Sequence, residues 1–117
     1  MTYVDGFVSA VPTANKEAFR EHAQKAAEVC RRHGALQVID AWGDDIPDGK
    51  LTSFPLAVQC QADETVVLSW IIWPSKAARE TGMAAIMADP DMSPEANPMP
   101  FDGQRLIYGS FEVISDV

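Results

Sequence analysis

The amino-acid sequence predicts an α+β protein in which two helices cover one face of a four-stranded antiparallel sheet. Segments rich in β-branched and aromatic residues are interspersed with two segments of helical periodicity, in the order β-α-β-β-α-β. A short further strand is optional between the second and third. A chain of 117 residues fits a single domain, which we assign to residues 1–117.

The first half of the chain is predicted to hold two strands and a helix. The first strand covers residues 3–11, "YVDGFVSAV", and stops at Pro12. The helix runs from Thr13, a candidate N-cap, to Gly34, a C-cap, because small and apolar side chains recur at helical spacing. The second strand covers residues 35–42, "ALQVIDAW".

The second half repeats this pattern. Residues 65–73, "TVVLSWIIW", are apolar on both faces, which is typical of a strand covered on both sides. A helix follows over residues 75–89, with Ala78, Met83, Ile86 and Met87 predicted to point inward. The last strand is predicted at residues 105–114. Residues 57–60 fit either a separate strand or a continuation of the second one.

Two loops stand out. The stretch "AWGDDIPDGK" (residues 41–50) does not fit a calcium loop, because its acidic residues lack the alternate spacing and the final glutamate. Its Pro-Asp-Gly has the chemistry of a tight turn, with Trp42 and Asp45 kept as candidates for a site. Residues 89–103 hold four of the eight prolines, and a loop of this length is often functional or mobile.

The order of elements is the split βαβ pattern of a ferredoxin-like fold, with both helices on one face of the sheet. The last strand and residues 65–73 nevertheless carry apolar residues on both faces. Something must therefore cover the second face. The simplest cover is another copy of the same sheet, so we predict a homodimer that associates through the open sheet face.

Charge and composition exclude several functions. Seventeen acidic and nine basic side chains give a net charge of −8, which disfavours nucleic acid as a partner. No apolar run approaches the roughly 20 residues that span a bilayer, so we expect no membrane association and a cytoplasmic location.

The only histidines, His22 and His33, lie too far apart to share one ion. We therefore predict no metal site and no cofactor.

The remaining candidates are aromatic and polar residues on or near the strands. His22, near the inward stripe of the first helix, is either a core histidine with satisfied hydrogen bonds or an acid-base group. Asp5 needs a partner inside a strand, and an Asp5–Arg105 ion pair is the simpler interpretation. The predicted catalytic set is His22, Asp5, Arg105 and Tyr108, and the predicted ligand-binding set is Tyr3, Trp42, Trp70 and Trp73.

Several long motifs carry a family resemblance. "YVDGFV", "WGDDIPDGK", "WPSKAAR", "MADP" and "MPFDGQRLIYGSFE" resemble the YbaA-like family of small uncharacterised bacterial proteins, a domain-of-unknown-function family, over essentially the whole chain. The resemblance implies a dimeric α/β barrel, in which two ferredoxin-like subunits pack sheet to sheet. It implies no chemistry.

Two hypotheses of function follow. The first is a homodimer that binds a small hydrophobic or aromatic molecule in a cleft between sheet and helices, with cofactor-independent catalysis left open. The second is a non-catalytic dimeric structural or interaction module, in which the three tryptophans serve packing alone. A cleft lined by the candidate residues would favour the first hypothesis, because the second predicts no cleft.

Overall fold

A computed structural model describes all residues from Met1 to Val117. Four antiparallel strands form one sheet in the order β2-β3-β1-β4, so each helical crossover skips a strand. This is the ferredoxin-like arrangement that the sequence predicts. The strands are β1 (Tyr3–Pro12), β2 (Gln37–Trp42), β3 (Glu64–Trp73) and β4 (Ile107–Glu112), and the helices are α1 (Lys16–Arg32), α2 (Phe54–Ala57) and α3 (Lys76–Ala88).

Side chains of β1 alternate between the two faces of the sheet, and each face packs against a different part of the protein. Phe7 and Val11 pack into the cores beneath the helices, whereas Ala10 packs on the opposite face. Asp5 and Ser9 share the helix-covered face with Phe7 and are buried there. The central strand therefore places two polar side chains inside the protein.

Both long helices bury an apolar stripe on the same face of the sheet. Phe19 and Ala23 of α1 pack with Val11 and Val67, and a second cluster joins the end of α1 to β3 and α3. Met87 is 83% exposed, so its predicted inward orientation is wrong: a helix turns 100° per residue, and it is Ile86 that faces the core. None of the helices has the length and hydrophobicity needed to cross a membrane.

The first helix begins later than predicted. Residues Thr13–Asn15 form a 3-10 turn, and Thr13 Oγ1 lies 2.8 Å from Thr65 Oγ1 on β3 instead of capping α1. The N-cap is Asn15, whose side chain donates to the carbonyl oxygen of Pro100. The other end agrees with the prediction, because Gly34 takes a positive φ of 108° directly after the helix.

Residues 57–60 are neither of the predicted strands. The Ser53 hydroxyl accepts a hydrogen bond from the Leu56 amide and starts the single turn of α2, after which the chain folds back across the sheet. Val58 is thereby buried against Ala10 and Val66, on the face away from the long helices. Part of the second sheet face is therefore covered by this chain itself.

The rest of that face is open and apolar. By strand alternation it carries Leu68, Trp70 and Ile72 of β3 together with Ile107 and Phe111 of β4. The side chain of Phe111 lies over two glycines that face each other in the sheet: a Cβ on Gly6 would lie 3.4 Å from its ring, and one on Gly109 3.3 Å. Phe111 still exposes 57% of its surface.

Candidate functional site

A cavity of about 260 Å³ lies between the helix-covered face of the sheet, α1, α3 and the segment from Met92 to Leu106. Most of its wall is apolar, built from aromatic rings and thioethers on four separate parts of the chain. A few polar groups interrupt this wall. The main apolar residues are Phe7, Phe19, Met83, Met92, Met99 and Phe101, and the polar ones are Ser9, His22, Asp40 and Ser69.

His22 comes to the cavity because it lies one turn beyond Phe19 on α1. Its ring centroid is 6.1 Å from that of Phe19 and 6.1 Å from that of Phe101, which belongs to the segment after α3. The ring is partly buried and also borders a surface pocket beside Lys25 and Met99. His22 therefore stands between the cavity and the protein surface.

The orientation of His22 depends on Asn97, which is only 6% exposed. The Asn97 Nδ2 donates to the main-chain oxygen of His22 over 3.2 Å, and this contact fixes which end of the amide is the oxygen. Asn97 Oδ1 lies 3.0 Å from His22 Nδ1. Because an amide oxygen can only accept, His22 Nδ1 carries the proton.

This contact leaves the other ring nitrogen of His22 as the chemically active atom. In a neutral imidazole with the proton on Nδ1, Nε2 holds a lone pair. The hydrogen bonds described for His22 use Nδ1 and the main-chain oxygen, so Nε2 remains able to accept a proton or a hydrogen bond. A fixed imidazole acceptor next to a cavity can act as a general base.

A second polar pair lies on the sheet. Asp40 of β2 and Ser69 of β3 face each other in the register, and the Ser69 hydroxyl donates to Asp40 Oδ1 over 2.6 Å. Both residues line the cavity together with Ser9. Cys30 also lines it, but burial raises the pKa of its thiol to about 11, so it is a poor nucleophile.

Asp5 is occupied by structural partners. Trp73 Nε1 donates to Asp5 Oδ2 over 2.9 Å, Arg79 Nε lies 3.2 Å from both carboxylate oxygens, and the Ser110 hydroxyl completes the set. The predicted Asp5–Arg105 ion pair is therefore wrong. The partner is Arg79, which lies in the first turn of α3 and reaches the carboxylate of Asp5 from the helix-covered side of the sheet.

Arg105 forms a separate network at the other end of the sheet. It precedes β4 in a 3-10 turn, and its guanidinium contacts both carboxylate oxygens of Glu64 at 2.6 and 2.7 Å. It also donates to Asp102 over 3.0 Å. Arg105 lowers the pKa of Glu64, chiefly through this hydrogen bonding. The network ties the segment before β4 to the start of β3.

The other predicted residues are dispersed. Tyr108 is 77% exposed on edge strand β4, Tyr3 packs against the core around Trp73, and Trp73 itself is fully buried. Trp70 borders the cavity on β3, but strand alternation directs its indole to the open sheet face. Trp42 lines a groove of about 390 Å³ between α1 and β2, where Lys16 Nζ lies 5.6 Å from its ring centroid.

The sequence made His22 a candidate, which the structure places at the cavity, but it did not indicate Asn97, the residue that contacts the His22 ring. Asn97 lies 75 positions further along the chain, and no local pattern connects the two. The available signal was the proline-rich segment 89–103, which contains Asn97 and contributes cavity residues. No group of three or more His, Cys, Asp or Glu side chains lies close enough together to hold a metal ion.

Comparison with known proteins gives one family and one fold. The model of a family described as "Protein of unknown function (DUF1428)" matches residues 2–103. The proteins called YbaA from Escherichia coli K12 and from Shigella flexneri are each 50% identical over 116 residues, covering 99% of both chains.

A solved structure with a similar fold is far more distant in sequence. A protein from an uncultured marine organism, whose crystal structure is described as a dimeric ferredoxin-like protein, aligns with a TM-score of 0.63 at 12% identity. The alignment covers 99% of this chain and 98% of the other. At this identity the likeness shows the ferredoxin-like fold.

Proposed function

This chain belongs to the DUF1428 family, and we propose that it forms a homodimer. In this proposal each subunit binds a small hydrophobic or aromatic molecule between the sheet and the helices. The observation that carries the ligand proposal is the fixed His22–Asn97 pair at the wall of an apolar cavity. An apolar wall with a few oriented polar groups is the usual composition of a small-molecule site.

Catalysis, if it follows binding, would depend on His22. His22 lines the cavity and its Nε2 makes none of the hydrogen bonds described for this residue, so the chemistry that we propose is proton transfer without a cofactor. Of the predicted catalytic set, Asp5 and Arg105 are engaged in ion pairs elsewhere, and Tyr108 lies on the exposed edge strand. We propose structural roles for Asp5 and Arg105.

The dimer proposal rests on the open sheet face. Ile107 and Leu68 expose 44% and 38% of their surface on the same face as the exposed ring of Phe111. In the strand register, Trp70 lies between the level of Leu68 and Ile107 and the level of Phe111. Contiguous apolar patches of this kind mark interfaces. The marine relative with the same fold is described as dimeric. Packing of two such faces sheet to sheet would give the dimeric α/β barrel.

The same face supports the second hypothesis, a dimeric interaction module without a ligand. Such a module needs the open face but has no use for a fixed acceptor at His22 or for a cavity. The two hypotheses therefore share the assembly and differ at the cavity. That residues 1–117 act as one domain, and that the protein is cytoplasmic, stay predictions.

Native mass spectrometry combined with a binding titration tests the proposal. We expect the mass of a dimer, and saturable binding of the neutral fluorescent probe 2-methoxynaphthalene. Ala26→Phe, which fills the cavity from α1, should abolish binding. The matched control Ala27→Phe, one position along α1 and lining the separate groove by β2, should retain it. If the parent protein is a dimer but binds no probe, the interaction module is supported. If the protein is a monomer, the proposed assembly is contradicted.

A further inference from the structure

The cavity contains no cationic side chain apart from what His22 could supply. None of its lining residues is a lysine or an arginine, and its one carboxylate is that of Asp40. The whole chain carries a net charge of −8. A bound anion would therefore lose its hydration without gaining a cationic partner, which is costly. The electrostatics select against carboxylates, sulfonates and phosphates.

Hydrogen bonding adds a second restriction. The contact with Asn97 puts the proton of a neutral His22 ring on Nδ1, so Nε2 of this cavity-lining residue is the ring nitrogen with a free lone pair. A ligand that offers only acceptors would leave the Nε2 lone pair without a donor, and a polar group covered by a ligand but left unpaired weakens binding. The matching ligand is neutral and carries a hydrogen-bond donor.

The wall indicates what the rest of the ligand is. Three phenylalanine rings and three thioethers line the cavity, from Phe7, Phe19, Phe101, Met83, Met92 and Met99. Aromatic ligands gain edge-to-face contacts with such rings and sulfur contacts with methionine. Unbranched methionine side chains also adapt to flat ligands of different outline. A planar aromatic body is favoured over an aliphatic chain.

Building on the proposed function, we infer that the ligand is a neutral aromatic compound with a hydroxyl group, a phenol or an aromatic enol, which donates its hydroxyl hydrogen to Nε2 of His22. Asn97 is the positioning residue: by accepting from Nδ1 it favours the tautomer of the neutral ring whose lone pair lies on Nε2. The Nε2 lone pair orients the hydroxyl, and the rings and thioethers hold the aromatic body. The site thereby selects phenols over their ethers and over aromatic anions.

The experiment compares 2-naphthol, 2-methoxynaphthalene and 2-naphthoate by fluorescence titration of the intact protein near neutral pH. The first two share one aromatic body and differ in the donor. We expect 2-naphthol to bind about tenfold more tightly than its ether, the value of one hydrogen bond. The carboxylate should bind most weakly.

Variants assign this preference to the imidazole. His22→Phe keeps a ring in place and should bring the dissociation constants of the phenol and the ether to within about twofold of each other. Asn97→Leu should reduce the preference less, because the imidazole remains while its Nδ1–H tautomer is no longer enforced. Nitrogen NMR of the parent should show His22 protonated at Nδ1, independently of how well either variant folds.

The outcomes separate this inference from the proposed function. Equal binding of phenol and ether by the parent protein overturns the inference and leaves the cavity as a site for apolar molecules. Tighter binding of 2-naphthoate, or an NMR signal for the Nε2–H tautomer, also overturns it. Failure of all three probes to bind removes the proposed function, and the inference with it.

Discussion

Gly82 of α3 lies directly against the indole of Trp73. A Cβ at position 82 would come within 2.6 Å of the ring atom Cη2 and within 2.7 Å of the carbonyl oxygen of His33. Trp73 is fully buried and donates its indole N–H to Asp5. The missing side chain of one glycine thus lets α3, the end of α1 and β3 approach one another.

The first prediction concerns this contact. Gly82→Ala should lower the free energy of unfolding by about 1–3 kcal/mol, because overpacking would outweigh the higher helix propensity of alanine. The neighbouring and exposed Thr81→Ala should change it by less than about 0.5 kcal/mol. Urea melts of both variants measure the difference. A stabilised Gly82→Ala would show that the helix can move away without cost.

The second prediction concerns the buried carboxylate. Arg79→Met should destabilise the protein by about 3 kcal/mol, because Asp5 would keep its charge inside the protein without its cationic partner. Adding Asp5→Asn should recover part of this loss, since the double variant no longer buries an unpaired charge. Chemical denaturation of the two single variants and the double variant checks it. Strict additivity would mean that the two side chains do not interact.

The third prediction is the response to acid. Arg105 holds the pKa of Glu64 below its ordinary value of 4.5. A carboxyl whose pKa is lower in the folded state contributes stability above its unfolded pKa, and this contribution is lost as the pH falls through the folded pKa. Stability should therefore drop below about pH 4.5, with Asp89 and Asp102, whose pKa values are also lowered, contributing.

Glu64→Gln isolates one part of this response. The urea concentration at the unfolding midpoint should fall less for the variant than for the parent between about pH 6 and pH 3, because one proton-linked group has been removed. Glu21→Gln, which alters an exposed carboxylate on α1, serves as the control and should follow the parent. If the Glu64 variant follows the parent as well, the Arg105 network does not contribute to acid sensitivity.

The fourth prediction tests the proposed assembly with two residues of one strand. Phe111→Asp places a charge on the open sheet face and should raise the dissociation constant of the dimer at least about 100-fold, because a charge would be buried in an apolar interface. Tyr108→Asp alters a more exposed ring on the opposite face of β4 and should leave the dimer intact. Sedimentation at several concentrations gives both values. Dissociation by both variants would place the interface at the edge of β4.

The sequence by itself determined the fold class, the order of the elements and the long strands and helices. Residues 65–73 and the stripe of Phe19 and Ala23 are local periodic patterns, and their periods of two and 3.6 residues follow from backbone geometry alone. His22 became a candidate for the same reason, because it lies near that stripe. The resemblance to the YbaA-like family was also carried by local motifs.

Tertiary structure alone decided which side chains meet. Asp5 pairs with Arg79, 74 positions away, and His22 with Asn97, 75 positions away. Partners at such separation leave no periodic trace, since their contact depends on where α3 and the proline-rich segment cross the sheet. The turn at Phe54–Ala57 likewise covers the far sheet face through Val58, which its local composition did not reveal. Local backbone geometry thus determines the helices and strands, whereas the way in which distant segments pack against the sheet determines the site.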